Sequence, residues 1–350
     1  MDRPRKPTLD TVASAVGVSR ATVSNAYNRP DQLSAALRER ILETAASLGY
    51  AGPDPVARSL ATRHSAAVGF MLGQQLSAAF SDPAASIVLD GLASTVDGHD
   101  HCLVLMPGNE TGGPRPSTVA RAAADVVVAY SLPDNAPALD AVRARGLPLV
   151  VIDQPVLSNT ARVEVDDEGG ARMAAAHLRG LGHTRFGVIT FGLQPDGFTG
   201  LASPSRQASG VFRVSRDRVA GYLSVVGPCP VFEVPGSRRD LGRTAARSLL
   251  RSAVRPTALL CASDELAFGA LQAAHELGLR VPQDVSLVGF DDVPFAQYSD
   301  PPLTTVRQPL TEKGRRAGEL ALRLLDGGRP GEPSRLPVSL VERDSTAPPE

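Results

Sequence analysis

The chain has 350 residues, 43 % of them apolar, with 36 Lys or Arg against 37 Asp or Glu and a formal net charge of -1. That length exceeds one small module and predicts two or three folding units with ordinary apolar cores. The balance of charge excludes a generic polycation, and no run approaches the roughly 18 consecutive apolar residues of a membrane span.

Charge is nevertheless uneven. Residues 1–63 hold nine Lys or Arg against six Asp or Glu, leaving +3 there and -4 in the remainder, a sign suited to phosphate contact near the N-terminus. The opening Met-Asp-Arg-Pro-Arg-Lys-Pro has basic residues but no apolar segment behind them, so the expectation is a cytoplasmic protein with no membrane partner. Cys102, Cys229 and Cys261 are odd in number, far apart and outside any C-x-x-C spacing. They read as reduced core residues, with neither a disulfide framework nor a zinc site.

In chain order, Thr8 can cap a first helix whose Leu9, Val12, Ala13 and Val16 recur at helical spacing. Gly17 permits a tight turn, and Ser19 can cap a second helix with Val23 on its buried side. Two short helices joined by a glycine turn are how a chain places a helix in the major groove, which makes double-stranded DNA the expected partner. Ser34 can cap a third helix bearing Leu37, Ile41, Leu42, Ala45 and Leu48, ended by Gly49. A short helix is then expected from Asp54, with Pro55 at its first position, through Ala61. So short a segment cannot stay helical alone in water, so it is read as folding when it binds DNA.

From Ala66 onward, short apolar runs alternate with longer amphipathic stretches. The runs are Ala67–Leu72, Cys102–Met106, Val126–Ala129, Leu149–Ile152, Phe186–Ile189, Ala258–Cys261 and Val285–Phe290. Continuous runs, rather than alternation, fit parallel strands covered on both faces, and helical stretches such as Gly169 to Leu181 and Glu265 to Leu277 make β-α-β units the natural reading. The fold expected is α/β, an N-terminal all-α helix-turn-helix domain followed by two doubly wound subdomains with a cleft between them. The Gly-, Pro- and Ser-rich stretch 192–210 breaks the periodicity and reads as a mobile loop or lid, and residues 346–350 as a disordered tail.

These residues resemble the LacI/GalR family of bacterial transcription regulators. The matching pieces include Thr8–Ala13, Gly17-Val18-Ser19, Thr22-Val23-Ser24, Val56–Ala61, His177–His183, Ser263–Ala267, Val288–Val293 and Pro302–Val306, in the family's order and spacing. The resemblance implies a helix-turn-helix domain over 1–50, a hinge over 51–63 and a periplasmic-binding-protein-like effector domain over 64–345. Within the effector domain the N-subdomain is expected at 64–162 with 292–325, and the C-subdomain at 163–291 with 326–345. It further implies a homodimer on a palindromic operator, most often as a repressor, a small-molecule effector such as a sugar in the cleft, and no cofactor or metal.

Carried onto this chain, the second helix becomes the recognition helix. Arg20 suits guanine O6 and N7, Asn25 an adenine edge, and Ala21 a thymine methyl group. Arg20 on phosphate is the alternative. Thr8, Ser19, Thr22, Ser24, Asn28 and Ala57 join them as DNA-facing positions, and Leu60 matches the hinge leucine that wedges into the minor groove. Arg218 and Asp291 match the family's cleft arginine and aspartate, a pair suited to a polyhydroxyl ligand. Asp82, Ser131, Asp153 and Ser263 fall at strand ends or equivalent loops; Asp153 as a turn cap and Ser263 as a helix cap are the alternatives for those two.

The chain departs from the family in one respect. Where sugar-binding members often have Asn-Pro-Phe-Phe, it has Asp82-Pro83-Ala84-Ala85; Val165 stands at another aromatic position, and there is no Trp. Phe80, Phe191, Phe198 and Phe212 are the available replacements. Two rival classes stay in view. A solute-binding receptor shares the effector fold but lacks a use for residues 1–61, and an enzyme would need chemistry from Asp291 and Asp292 or from histidines that show no metal or triad spacing.

Overall fold

The computed structural model describes residues 7–52, 65–109 and 112–350. The chain divides into two compact units, one up to Ser65 and one from Ala66 to Glu350. The expected hinge helix, with Ala57 and Leu60, lies outside the described residues.

The first unit contains α1 (Leu9–Val16), α2 (Arg20–Asn28) and α3 (Ala35–Ser47). The Thr8 hydroxyl accepts from the Thr11 N–H while the Thr11 hydroxyl accepts from the Thr8 N–H, closing a reciprocal cap; Ser19 and Ser34 cap the next two helices through the N–H groups of Thr22 and Leu37. Gly17 ends α1 at φ +78°, where a side chain would be strained. The small core is Val12, Ala13, Val23, Ala26, Ile41 and Ala45.

The second unit begins with β1 (Ala67–Leu72), α4 (Leu76–Ser81), α5 (Pro83–Asp97), β2 (Cys102–Met106), α6 (Pro116–Arg121), β3 (Val126–Tyr130), α7 (Pro137–Ala144), β4 (Leu149–Ile152) and β5 (Ala161–Val165). It continues with α8 (Asp167–Gly180), β6 (Phe186–Phe191), β7 (Gly200–Leu201), α9 (Pro204–Ala208), α10 (Arg213–Val226), β8 (Val231–Val234), α11 (Arg239–Leu250), β9 (Ala258–Cys261) and α12 (Asp264–Glu276). The remainder is β10 (Ser286–Asp291), β11 (Thr304–Arg307), α13 (Leu310–Leu325), β12 (Ser334–Leu336) and β13 (Ser339–Val341).

Two sheets result. The first has the order β12-β5-β4-β3-β1-β2, and the second β13-β11-β10-β9-β6-β8-β7. Pairing is parallel except at the second sheet's edges, where β7 and β13 are antiparallel. Every residue of β1 and of β10 is buried, as continuous apolar runs require when helices cover both faces. Helices α5 and α13 pack with their backbones nearly touching: a Cβ on Gly91 would lie 2.3 Å from the Thr311 carbonyl oxygen, and one on Gly314 2.0 Å from that of Val88.

The chain passes between the sheets after Val165, after Arg307 and between Leu336 and Ser339. This corrects the subdomain boundaries read from the sequence. All of β5, through Val165, belongs to the first sheet; β11 belongs to the second although 292–325 was assigned to the first; and β12 belongs to the first although 326–345 was assigned to the second. Strands of three or four residues carry no local mark of the sheet they will join.

Three further expectations change. The stretch 192–210 is built into the second sheet: Arg206 bonds Glu233 at 2.5 Å and Asp196 at 2.8 Å, lies over the Phe198 ring, and Glu233 also accepts from the Leu193 N–H. Residues 346–350 are tied down rather than loose. Thr346 bonds His177, the Ala347 N–H donates to Ser286 at 3.0 Å, and Arg280 donates to Glu350. Of the cysteines only Cys261 is a core residue; Cys102 is exposed and Cys229 half-buried.

Candidate functional site

Helix α2 buries Val23 and Ala26 and turns a polar face away from them. Helical spacing puts Arg20, Ala21, Ser24, Asn25 and Asn28 on that face. Ser19, Arg20, Ala21 and Asn28 are exposed, and Thr22, Ser24 and Asn25 half-buried. Arg20 is only loosely held, 3.8 Å from Asp10 with both side chains largely in solvent. The Asn25 amide donates to Gln32 at 3.2 Å and that of Asn28 to Ser24 at 3.1 Å. Thr8 and Ser19, capping α1 and α2, are both exposed. Helix starts present N–H groups suited to phosphate.

The second unit has a cleft of about 170 Å³ between its two sheets, at the carboxyl ends of their strands. All six residues assigned to an effector site line it: Asp82, Ser131, Asp153, Arg218, Ser263 and Asp291. Ser131 follows β3 and Asp153 follows β4, Ser263 follows β9, and Asp291 closes β10. This is where open parallel sheets place ligands, because successive strands diverge there. Ser131, Asp153 and Asp291 have φ of +53°, +65° and +119°, strain that turns their side chains at the site rather than along the sheet. Asp82 caps α5 through the N–H groups of Ala84 and Ala85, and Ser263 caps α12 through that of Leu266.

A buried polar network underlies the cleft. Arg218 lies 3.6 Å over the Phe290 ring, donates from Nε to Asp167 at 2.8 Å and from Nη1 to the Ala262 carbonyl at 2.6 Å, and stands 3.5 Å from Asp291. Gln308 Nε2 donates to Asp291 at 2.6 Å, and Lys313 donates both to the Gln308 oxygen and to Asp153 at 2.8 Å. The chain of contacts therefore runs from Arg218 to Asp153, from one sheet to the other. Burial raises Asp291 to about 7, against the opposing pull of Arg218, with Asp82 raising it further. Burial likewise lifts Asp82 to about 6.

Sequence reasoning missed Asp167, Gln308 and Lys313. Lys313 is only 1 % exposed and falls on the apolar stripe of α13 with Leu310, Gly314, Ala317 and Ala321, so a cation interrupting an apolar helix face was the available signal. Of the four candidate phenylalanines, Phe191 and Phe212 line the cleft. Phe80 is largely exposed, and Phe198 is beneath Arg206. Tyr130, stacked on Phe70, lines the cleft as well. Asp292 turns away from Asp291 and is gripped by Arg307 and Arg343, each at 2.6 Å, so the adjacent carboxylates form no catalytic pair. His177 and His183 bond within the second sheet and its C-terminal segment, and neither lines the cleft.

Among the described residues no helix is long and apolar enough to cross a membrane. Residues 8–52 match the profile of bacterial regulatory proteins of the lacI family, and residues 175–346 that of a periplasmic binding protein-like domain. The HTH-type transcriptional regulator Rv3575c of Mycobacterium tuberculosis is 42 % identical over 336 residues, covering 93 % of both chains. The Lac repressor dimer bound to operator and the anti-inducer ONPF superposes with a TM-score of 0.78 at 27 % identity, over 97 % of this chain and 99 % of that one. The complex of the transcriptional regulator CelR with cellobiose gives 0.68 at 26 % identity, over 97 % and 99 %. These relatives are transcriptional regulators rather than enzymes. The chain belongs to the LacI family of bacterial transcriptional regulators.

Proposed function

We propose that this regulator binds a palindromic operator as a homodimer, as a repressor in the cytoplasm at the nucleoid, and that a small polyhydroxyl effector in the cleft modulates the binding. The observation that carries the reading is the convergence of six polar residues from strand ends and helices of both subdomains on one cleft, in a chain that also offers the exposed polar face of α2. A ligand touching both sheets changes their relative angle only through its differential affinity for the open and closed forms. Related regulators are bound to operator as a dimer and to cellobiose, which supports both halves of the reading.

Arg20, Ala21 and Asn25 are proposed to read base edges, with Thr8, Ser19, Thr22, Ser24, Asn28 and Ala57 supporting them on the backbone and Leu60 entering the minor groove. Selection of random duplexes by the purified protein at near-physiological salt tests this, because low salt rewards sequence-blind phosphate contact. The expected product is an inverted repeat with a flexible central pyrimidine-purine step. Arg20→Ala should then cost about 1–3 kcal/mol at one base position in each half-site. A uniform loss across all sequences would instead place Arg20 on phosphate.

A further inference from the structure

The charges of the cleft narrow the effector class beyond the reading above, on which this inference rests. Asp82, Asp153 and Asp291 line the cleft, and Asp167 holds Arg218 from behind. Those four carboxylates face two cations, Arg218 and Lys313, and each cation is already paired: Arg218 with Asp167 and Asp291, Lys313 with Asp153. Among the described residues Asp82 has no cationic partner, and its carboxylate accepts from Gln74 at 3.4 Å and from the N–H groups it caps. The neighbouring Glu265 is taken by Arg239 at 2.9 Å.

Carboxylates therefore outnumber uncommitted cations at the cleft. The hydroxyls of a ligand can donate to Asp82, Asp153 and Asp291, while Phe191 and Phe212 offer an apolar wall. A cavity of about 170 Å³ is room enough for a small sugar ring.

We propose that the cleft selects by charge: it takes a neutral or ammonium-bearing single-ring polyol and rejects the phosphorylated or carboxylated form of the same scaffold, with Asp82 as the residue that enforces the rejection. Lys313 is the positioning residue, holding Asp153 directly and Asp291 through Gln308.

The test uses the full chain and a panel in which ribose, glucose and galactose are each supplied as the free sugar, the amino sugar, the phosphate ester and the sugar acid. Thermal stabilisation and calorimetry are the readouts. Binding is expected only among neutral and amino members, with the matching phosphate or acid at least about 100-fold weaker. Asp82→Asn preserves the helix cap, since Asn caps as well as Asp, and should narrow the gap between free sugar and phosphate by about tenfold. An anionic member that binds more tightly than its neutral parent overturns the inference and leaves the polyol reading standing. An Asp82→Asn variant that weakens both forms equally overturns the role of Asp82. Absence of binding by every member overturns the polyol reading itself, and the inference with it.

Discussion

Lys313→Met should be among the most damaging single substitutions in the second unit. Lys313 is 1 % exposed, its Nζ lies 2.8 Å from an Asp153 carboxylate that is 8 % exposed, and it also donates to Gln308. Methionine keeps the length and flexibility of the side chain, so packing changes little, but Asp153 and the Gln308 oxygen are left buried without a donor. Removing one partner of a buried ion pair typically costs about 3–5 kcal/mol, against a total stability of about 5–15 kcal/mol for a domain. Urea unfolding of the full chain, followed by far-ultraviolet circular dichroism, should show a fall of that size in the transition of the second unit. Adding Asp153→Asn removes the stranded charge and should restore more than half of the loss, which a double-mutant cycle would register as strong coupling. A single variant within about 1 kcal/mol of the parent, or a double variant no better than Lys313→Met alone, would refute the argument that this pair is a buried, mutually dependent link.

Asp291 predicts a pH dependence. Its carboxyl is raised to about 7, so its contribution to stability is complete at acid pH, below the ordinary carboxylate range, and is lost as pH rises through 7. Stability from this group should increase as pH falls from about 7 toward 4, and Asp291→Asn should remove that part of the slope; parallel curves would count against the burial argument. Buried His183 is displaced downward, so its contribution is present above about 6.5 and lost as pH falls, and His183→Gln should relieve part of the acid-side loss. In the first unit Ile41 is fully buried, and Ile41→Ala should cost about 2–5 kcal/mol. DNA binding should disappear while the melting of the second unit stays in place; retained binding would show a more tolerant core. Across the cleft the Asp134 N–H donates to the Val211 carbonyl at 2.9 Å, so Asp134→Cys with Val211→Cys, in a background free of other cysteines, should crosslink under mild oxidation. A pair that stays reduced would mean that the free protein holds these segments apart.

Much of this was legible in the chain itself, and the exceptions have a common cause. The three N-terminal helices and the apolar strands carry local marks, a Ser or Thr cap or an unbroken apolar run; Ser131, Asp153 and Ser263 stand just past strand ends, whereas Arg218, inside α10, and Asp291 were legible only through the family resemblance. The network beneath the cleft carries almost none. Lys313 meets Asp153 across 160 positions and Arg218 meets Asp167 across 51, so neither local spacing nor periodicity could pair them. The sheets that β11 and β12 join are illegible for the same reason, because their placement follows from which neighbours remain unpaired. The segment 192–210 misled through composition: Gly, Pro and Ser promised looseness, and Arg206 on Glu233 and Asp196 removes it.

The interleaving of the two sheets also governs how the protein is made. Neither subdomain is a continuous stretch, and β11 acquires its outer neighbour β13 only after the chain has twice crossed back. Ser345 then bonds Leu287 and Thr304, and Ala347 bonds His183 and Ser286. During synthesis the second sheet must wait with an open edge until these residues leave the ribosome, and a product cut short before Ser339 keeps that edge exposed. A chain cut short there is therefore expected to aggregate or to be proteolysed, because the unpaired edge of β11 stays open.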